Sequence, residues 1–521
     1  MRRIPSILTM TAALMPALAG VSAVPAAAAT GNTLTVTAIS RTGARVAATA
    51  EVMNLADESM YSFATGKAHA LPKGTYAVLA DIQTTGAGGA VSDTIGSQIV
   101  TVSGAKSVTL DARQGRAVHV SLDSNPAPAD QWTIDSRVCA DGMPVGDVEV
   151  SNNQGSLYVV PNASKDLQFA YLADLQGSTG YMLSGMTTGI PSNPGGAFRK
   201  AALALVHVQA RSGDEEAAQT DVEFQPEGPT DNCQTDLAGP GDEQDGPFNQ
   251  TVYVSPGRWE PRSDVFGGPG DLGGEFAAQA SFAGGHTYWE TFGQATWGPV
   301  STVPTVWERA IDMSPDGLIE DPTPGTMTFG SSVWSTFELT QGSKVLKKQN
   351  LNSYGNQTDF NEPIRYAGWY NLSVDAHRYG AGFALPSGTL SNEVTLGLHF
   401  YASPSVTQAA PVYLTHFLPG GLNAYNAATP KGSMPITLDL DRGPTGNPDA
   451  PLPNDPVKSV LSWYSTDGGK SWHALAVKRS GSAYTVAVPD PASGAVSLRS
   501  EVVDTKGDTS TETVYRAYTI G

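Results

Sequence analysis

The side chains best suited to moving protons are eight histidines, His69, His119, His207, His286, His377, His399, His416 and His473, and each stands alone, mostly within a strand-like stretch. Acyl transfer needs more than an imidazole. It needs a hydroxyl nucleophile within reach of that base and a carboxylate to orient the ring. No Gly-x-Ser-x-Gly elbow, no His-Glu-x-x-His zinc pair and no phosphate-cradling glycine loop occurs. The acidic runs Asp242-Glu243-Gln244-Asp245 and Asp439-Leu440-Asp441 lack the alternating oxygen ligands and central glycine of a calcium loop. No catalytic residue, cofactor or metal is therefore expected. A hydrolase would have to gather carboxylates such as Glu290, Glu308 or Asp375 into one cleft.

Aromatic rings are the other functional candidates. Trp and Tyr faces can stack on sugar rings, and Tyr366, Trp369, Tyr370, Trp289 and Trp297 are the rings placed to do so. Large aromatics more often fill cores, so each of these has a packing alternative. Ser465-x-Asp467-x-Gly469-x-x-Trp472 is the sharpest local motif, and it resembles the Asp-box hairpin of sialidases and other β proteins. Asp467 can accept N–H bonds in the turn, Gly469 can take a positive φ and Trp472 can pack beneath. A single copy cannot build a propeller, so the reading is structural.

Cys139 and Cys233 are the two cysteines of the chain. Neither lies in a cysteine-protease signature, and an oxidising compartment makes one disulfide the expectation. That compartment follows from the first residues. Met1-Arg2-Arg3, an apolar stretch from Ile4 and the run Ala26–Ala29 have the charge, core and cleavage pattern of a secretory signal peptide. No later segment has the roughly 20 unbroken apolar residues of a spanning helix. Secretion is expected, with no integral membrane span after cleavage. Sequons at Asn162, Asn249, Asn356 and Asn371 matter only in a glycosylating host.

The elements that position these residues read as strands. With 56 glycines, 36 prolines and a charged fraction of 16%, the 521-residue chain favours short strands joined by turns, in three or four domains. The net charge of −19 disfavours nucleic acid, whose phosphates it repels. Strands are expected at 33–37, 75–81, 98–102, 107–110 and 117–122. Ala201–Gln209 alternates as a strand rather than a helix. In Leu71-Pro72-Lys73-Gly74-Thr75-Tyr76-Ala77-Val78, Pro72 sets φ, Gly74 permits the bend, and Tyr76 and Val78 share a face. Asp123–Ala129 is a breaker-rich linker. Val457–Gly521 reads as one complete sandwich module, with strands at 460–465, 483–488, 496–503 and 514–520.

Leu71–Val78 resembles the carboxypeptidase-regulatory-like (transthyretin-like) sandwich, a non-catalytic module. More widely, the chain resembles the accessory region that follows the catalytic domain in secreted actinobacterial subtilisin-like proteases. Val108–Arg113, Tyr288–Phe292 with Trp297-Gly298-Pro299, Ser465–Trp472, Val496–Arg499 and Arg516-Ala517-Tyr518 carry that resemblance in a shared order. The sequence departs from the family in lacking the protease domain, with neither Gly-Thr-Ser-Met-Ala nor His-Gly-Thr-His present.

The resulting expectation is an all-β, multi-domain array of β-sandwiches. A signal peptide spans 1–29, a transthyretin-like sandwich 30–125, a disulfide-bearing sandwich 130–240, a larger jelly-roll-like Trp-rich domain 245–410 and an Ig/fibronectin-like sandwich 411–521. The leading functional reading is an exported, non-catalytic protein for binding, adhesion or spacing. Its partner would be a cell-wall polymer, an extracellular protein or a polysaccharide. The alternatives are a secreted serine-type peptidase or glycosidase, and a dedicated carbohydrate-binding protein.

Overall fold

The structure, a computed structural model, describes residues 31–521 except 125–130, 154, 176–178, 212–218, 228–232, 235–236, 238–243, 267–274, 301–302, 324, 330–332, 353–358, 379–388 and 443–449. The expected signal peptide, most of the 123–129 linker, Asp242, Glu243 and the Asn356 sequon lie outside the described residues. What remains is an all-β array of packed sandwiches, in which helical turns such as Ala112–Gln114 are three residues long.

The N-terminal sandwich sets Thr33–Ile39, parallel to Ala105–Asp111, against a sheet containing Thr49–Asn54, Gly74–Asp81 and Val91–Val102. Leu34, Val36, Val52, Tyr76, Val78 and Leu110 fill the space between them. The Tyr76 hydroxyl donates to the Pro72 carbonyl at 2.8 Å, which closes the Leu71–Val78 segment on itself. Gly74 is not a bend residue: it opens the strand, and what it supplies is room, since a Cβ there would meet the Tyr76 ring at 3.3 Å. Tyr76 and Val78 do share a face, but Ala77 and Leu79 are equally buried. Their face packs on a second core with Trp132, Ile134, Leu157 and Val159. Leu157–Val159 also pairs in parallel with Val91–Val102, so the first two units share a sheet.

A seven-stranded sheet follows, in the order Met143–Asn153, Thr133–Ala140, Leu167–Leu175, Thr179–Thr188, Phe248–Val254, Ala204–Ala210 and Thr287–Phe292. Its hydrogen bonds run across the break expected at 240–245. The strand expected from Ala201 starts at Ala204, behind a 3-10 turn at Lys200–Ala202. Cys139 and Cys233 are bonded, with their Cα atoms 5.7 Å apart, which ties the 233 segment to this sheet.

The C-terminal segment is not complete by itself. Val457–Ser465, Gly494–Asp504 and Thr509–Ile520 form one layer, while Ala483–Pro489 joins Leu414–Pro419 and Ser433–Asp441 in the other. On its open side, Thr509–Ile520 pairs with Glu393–Ala402. A strand edge left bare would expose unpaired N–H and C=O groups. This pairing removes that edge and joins Trp334–Gln341, Lys344–Asn352, Gly368–His377 and Glu393–Ala402 to the C-terminal strands in one nine-stranded sheet. A single buried cluster accordingly runs from Cys139 to Ile520.

Candidate binding face

The candidate site is the solvent side of that long sheet, and strand periodicity builds it. In Gly368–His377 successive side chains point to opposite faces. Tyr370, Leu372, Val374 and Ala376 are buried, while Trp369, Asn371, Ser373 and Asp375 are exposed. The buried set packs toward Phe337 and Phe360, whose rings stack at 5.3 Å.

Cross-strand register then aligns the outward residues into rows. One row reads Asn350, Thr336, Asp375, Thr395, Thr513, Arg499. The next reads Lys348, Glu338, Ser373, Gly397, Thr511. A third holds Thr340, Asn371, His399 and Thr509, and Trp369 faces Tyr401 in the fourth. Two open depressions of about 670 Å³ and 230 Å³ lie over these rows and share Glu338, Ser373, Gly397 and Thr511 in their lining.

One end of the trough is aromatic. The Trp369 and His399 rings stack at 4.8 Å with 6° between their planes, and Tyr401 meets Trp369 edge-on at 5.8 Å. Asn371 Oδ1 lies 2.7 Å from His399 Nδ1, which holds the imidazole in place. Toward the other end, Arg499 lies over the Trp472 ring at 4.1 Å, and its Nε donates to Thr513 Oγ1 at 3.1 Å. Glu338 pairs with Lys348 at 3.0 Å across the sheet. The floor is low at Gly397, where an added Cβ would meet nothing closer than Thr511 at 3.9 Å.

The five aromatic candidates separate clearly. Trp369 is 40% exposed and stands beside the trough, stacked on His399 of its lining, and Tyr366 is exposed in the loop before it. Tyr370 is corrected to a core residue, 1% exposed, because period-two alternation turns it away from its neighbour. Its hydroxyl donates to the Tyr366 carbonyl at 2.5 Å. Trp297 is also a core residue, 9% exposed under the Arg378 guanidinium at 4.0 Å. Trp289 is 69% exposed, but on an end strand of the seven-stranded sheet beside His207.

The Ser465–Trp472 hairpin forms as its spacing implies. Asp467 accepts from Ser465 Oγ at 2.7 Å, the Ser471 N–H at 2.9 Å and Ser471 Oγ at 2.6 Å. These bonds, those from Ser471 foremost, hold its carboxyl well below the usual carboxylate range. Trp472 is half-buried against Tyr515 and Arg499 rather than plugged into a core.

The carboxylates named for hydrolysis stand apart. Glu290 lies on the seven-stranded sheet, where burial raises its pKa. Glu308 lies in the turn between Thr305–Trp307 and Ala310–Met313, and Asp375 lies on the long sheet. Asp375 meets His377 at 3.1 Å, and Thr251 Oγ1 meets His207 Nδ1 at 3.3 Å. Among the described residues, neither pair extends into a hydroxyl–imidazole–carboxylate chain. No group of three or more His, Cys, Asp or Glu there is placed to hold a metal. No helix there is long and apolar enough to cross a membrane.

Glu338, Ser373, Gly397, Arg499, Thr511 and Thr513 went unrecognised in the sequence. Their signal was the polar alternation of separate strands, the farthest paired neighbours being Gly397 and Thr511, which register alone brings together.

No family model matches the chain, and no curated protein matches it. Among solved structures it is similar to Escherichia coli alpha-2-macroglobulin activated by porcine elastase, with 8% identity over 90% of this chain and a TM-score of 0.13. The chain covers 50% of that structure's length. It is also similar to Sidekick-1 immunoglobulin domains 1–5, with 9% identity, 94% of this chain and 96% of that one covered, and a TM-score of 0.12. Scores this low carry no weight for function.

Proposed function

We propose that this is an exported, non-catalytic β array that docks a polar ligand on the solvent face of its nine-stranded sheet. The reading fits the chain's resemblance to the accessory regions of secreted subtilisin-like proteases, which serve binding or spacing beside an enzyme. One observation carries it: an open trough lined by polar side chains from six strands, with the stacked Trp369–His399 pair at one end. Such a surface supplies many hydrogen-bonding groups and an exposed aromatic ring, the elements of a binding site. The dispersal of Glu290, Glu308 and Asp375 over three sheets supports a role without bond cleavage. The disulfide supports an oxidising compartment.

The test incubates the mature protein with cell-wall and secreted fractions and, separately, with casein and chromogenic glycosides. Saturable retention without turnover is the expected outcome. Hydrolysis that disappears on replacing a single Ser or carboxylate would overturn the non-catalytic reading.

A further inference from the structure

We infer that the trough takes a neutral polysaccharide, lying along the Gly368–His377 strand with one ring on Trp369. This rests on the binding reading above and names its ligand class.

Charge narrows the ligand first. The protein as a whole carries −19, yet the two depressions are lined by Glu338 and Asp375 against Lys348 and Arg499, two charges of each sign. A polyanion would meet no excess of cations there, and the surrounding protein would repel it. A polycation would find no excess of anions in the lining either, since Lys348 and Arg499 balance Glu338 and Asp375.

The neutral lining narrows it further. Thr336, Asn371, Ser373, Thr395 and Thr511 present hydroxyl and amide groups that both donate and accept. A chain of sugar rings presents the same hydroxyl chemistry at its edges and an apolar C–H face to an aromatic platform. A bound peptide strand would instead need an open sheet edge and pockets for alternate side chains. Here the trough lies over the middle of the sheet, where strand-to-strand pairing already uses the backbone groups.

Shape agrees with an extended occupant. From Trp369 to Asp375 the face spans roughly 20 Å at the rise of a strand, long enough for several linked rings. Gly397 lowers the floor midway, between the His399 and Thr395 rows, where the lining otherwise carries side chains.

The experiment measures retention of the full chain on immobilised amylose, cellulose, chitin and β-1,3-glucan, with polygalacturonate as the polyanion. Retention on at least one neutral polymer is expected, weakened roughly tenfold or more by Trp369→Ala. Gly397→Leu, which fills the trough from a position with space around it, weakens retention likewise. Trp307→Ala, an exposed ring on another sheet, leaves it unchanged. Circular dichroism confirms that each variant is folded. Retention on polygalacturonate alone overturns the neutral-ligand inference. So does retention by cell-wall or secreted fractions that both trough variants abolish but no polysaccharide competes for, and in that case the trough stands as the docking face. Retention that both variants leave intact overturns the docking face itself.

Discussion

Glu512 accepts the backbone N–H of Thr415 at 3.2 Å, and the bond bridges the two layers of the C-terminal sandwich. The carboxyl is almost wholly enclosed, and its other oxygen has no hydrogen-bond partner. Strand alternation explains the placement: Thr511 and Thr513 line the trough, so Glu512 between them must point inward.

Burial pushes Glu512 well above the usual carboxylate range, and burial foremost brings Asp321 and Asp508 up to about 6. In the unfolded chain these groups titrate near 4. Between the two values the folded protein holds protons that the unfolded chain has released. Their stabilising effect is therefore full below about pH 4 and falls as pH rises through the window. His416 opposes this, since burial lowers its pKa and its contribution is lost as pH falls below about 6.5. Self-repulsion from the net charge of −19 adds to the loss at neutral pH. The melting temperature is thus expected to be higher near about pH 5 than near about pH 8. Glu512→Gln, which removes the buried titrating carboxyl, should narrow that gap. A native protein that melts higher at the alkaline value would refute this account.

The Cys139–Cys233 bond closes a loop with a sequence separation of 94. Loop-closure entropy makes that worth on the order of 4 kcal/mol. Denaturant unfolding of the doubly substituted Cys139→Ser, Cys233→Ser protein should show a loss of that order. A loss under about 1 kcal/mol would mean that the unfolded chain is already compact there.

Two adjacent glycines in the hairpin should respond differently to alanine. Both have positive φ, 71° at Gly468 and 84° at Gly469. At Gly468 a Cβ meets open space, so only the backbone cost of about 1–2 kcal/mol applies. At Gly469 the Cβ would lie 2.5 Å from the Tyr515 ring, adding a clash that raises the cost to about 2–4 kcal/mol. Urea midpoints compared across the two variants would reveal the difference, and equal shifts would contradict it.

Trp369 and Tyr370 are neighbours with opposite duties. Trp369→Ala should change stability by less than about 1 kcal/mol, because its ring stands on the surface. Tyr370→Ala should cost about 3–5 kcal/mol through the void it leaves. Tyr370→Phe, which deletes the hydroxyl and its bonds to the Tyr366 carbonyl and the Gln341 side chain, should cost about 1 kcal/mol. Denaturant unfolding of the three variants separates these cases.

Much of the fold was legible because strands announce themselves locally. Thr33–Ile39, Gly74–Asp81, Ala483–Pro489 and Thr509–Ile520 each carry alternation or β-branched runs bounded by turn residues. The Asp467 hairpin was equally legible, since its bonds all lie within seven residues. Unit boundaries were harder to read. Breaker-rich stretches mark where the chain leaves a sheet, yet Leu157–Val159 and Glu393–Ala402 complete sheets of neighbouring units.

The residue order alone determined that this chain is built of strands and which side chains within a strand share a face, because both follow from a two-residue repeat. It could not decide which strands become neighbours. Pairing Glu393–Ala402 with Thr509–Ile520 depends on long-range closure of an otherwise bare edge, a term that no local window contains. That choice sets Arg499 and Thr511 on the same surface as Trp369 and Gly397, and with them the trough on which the proposed function rests.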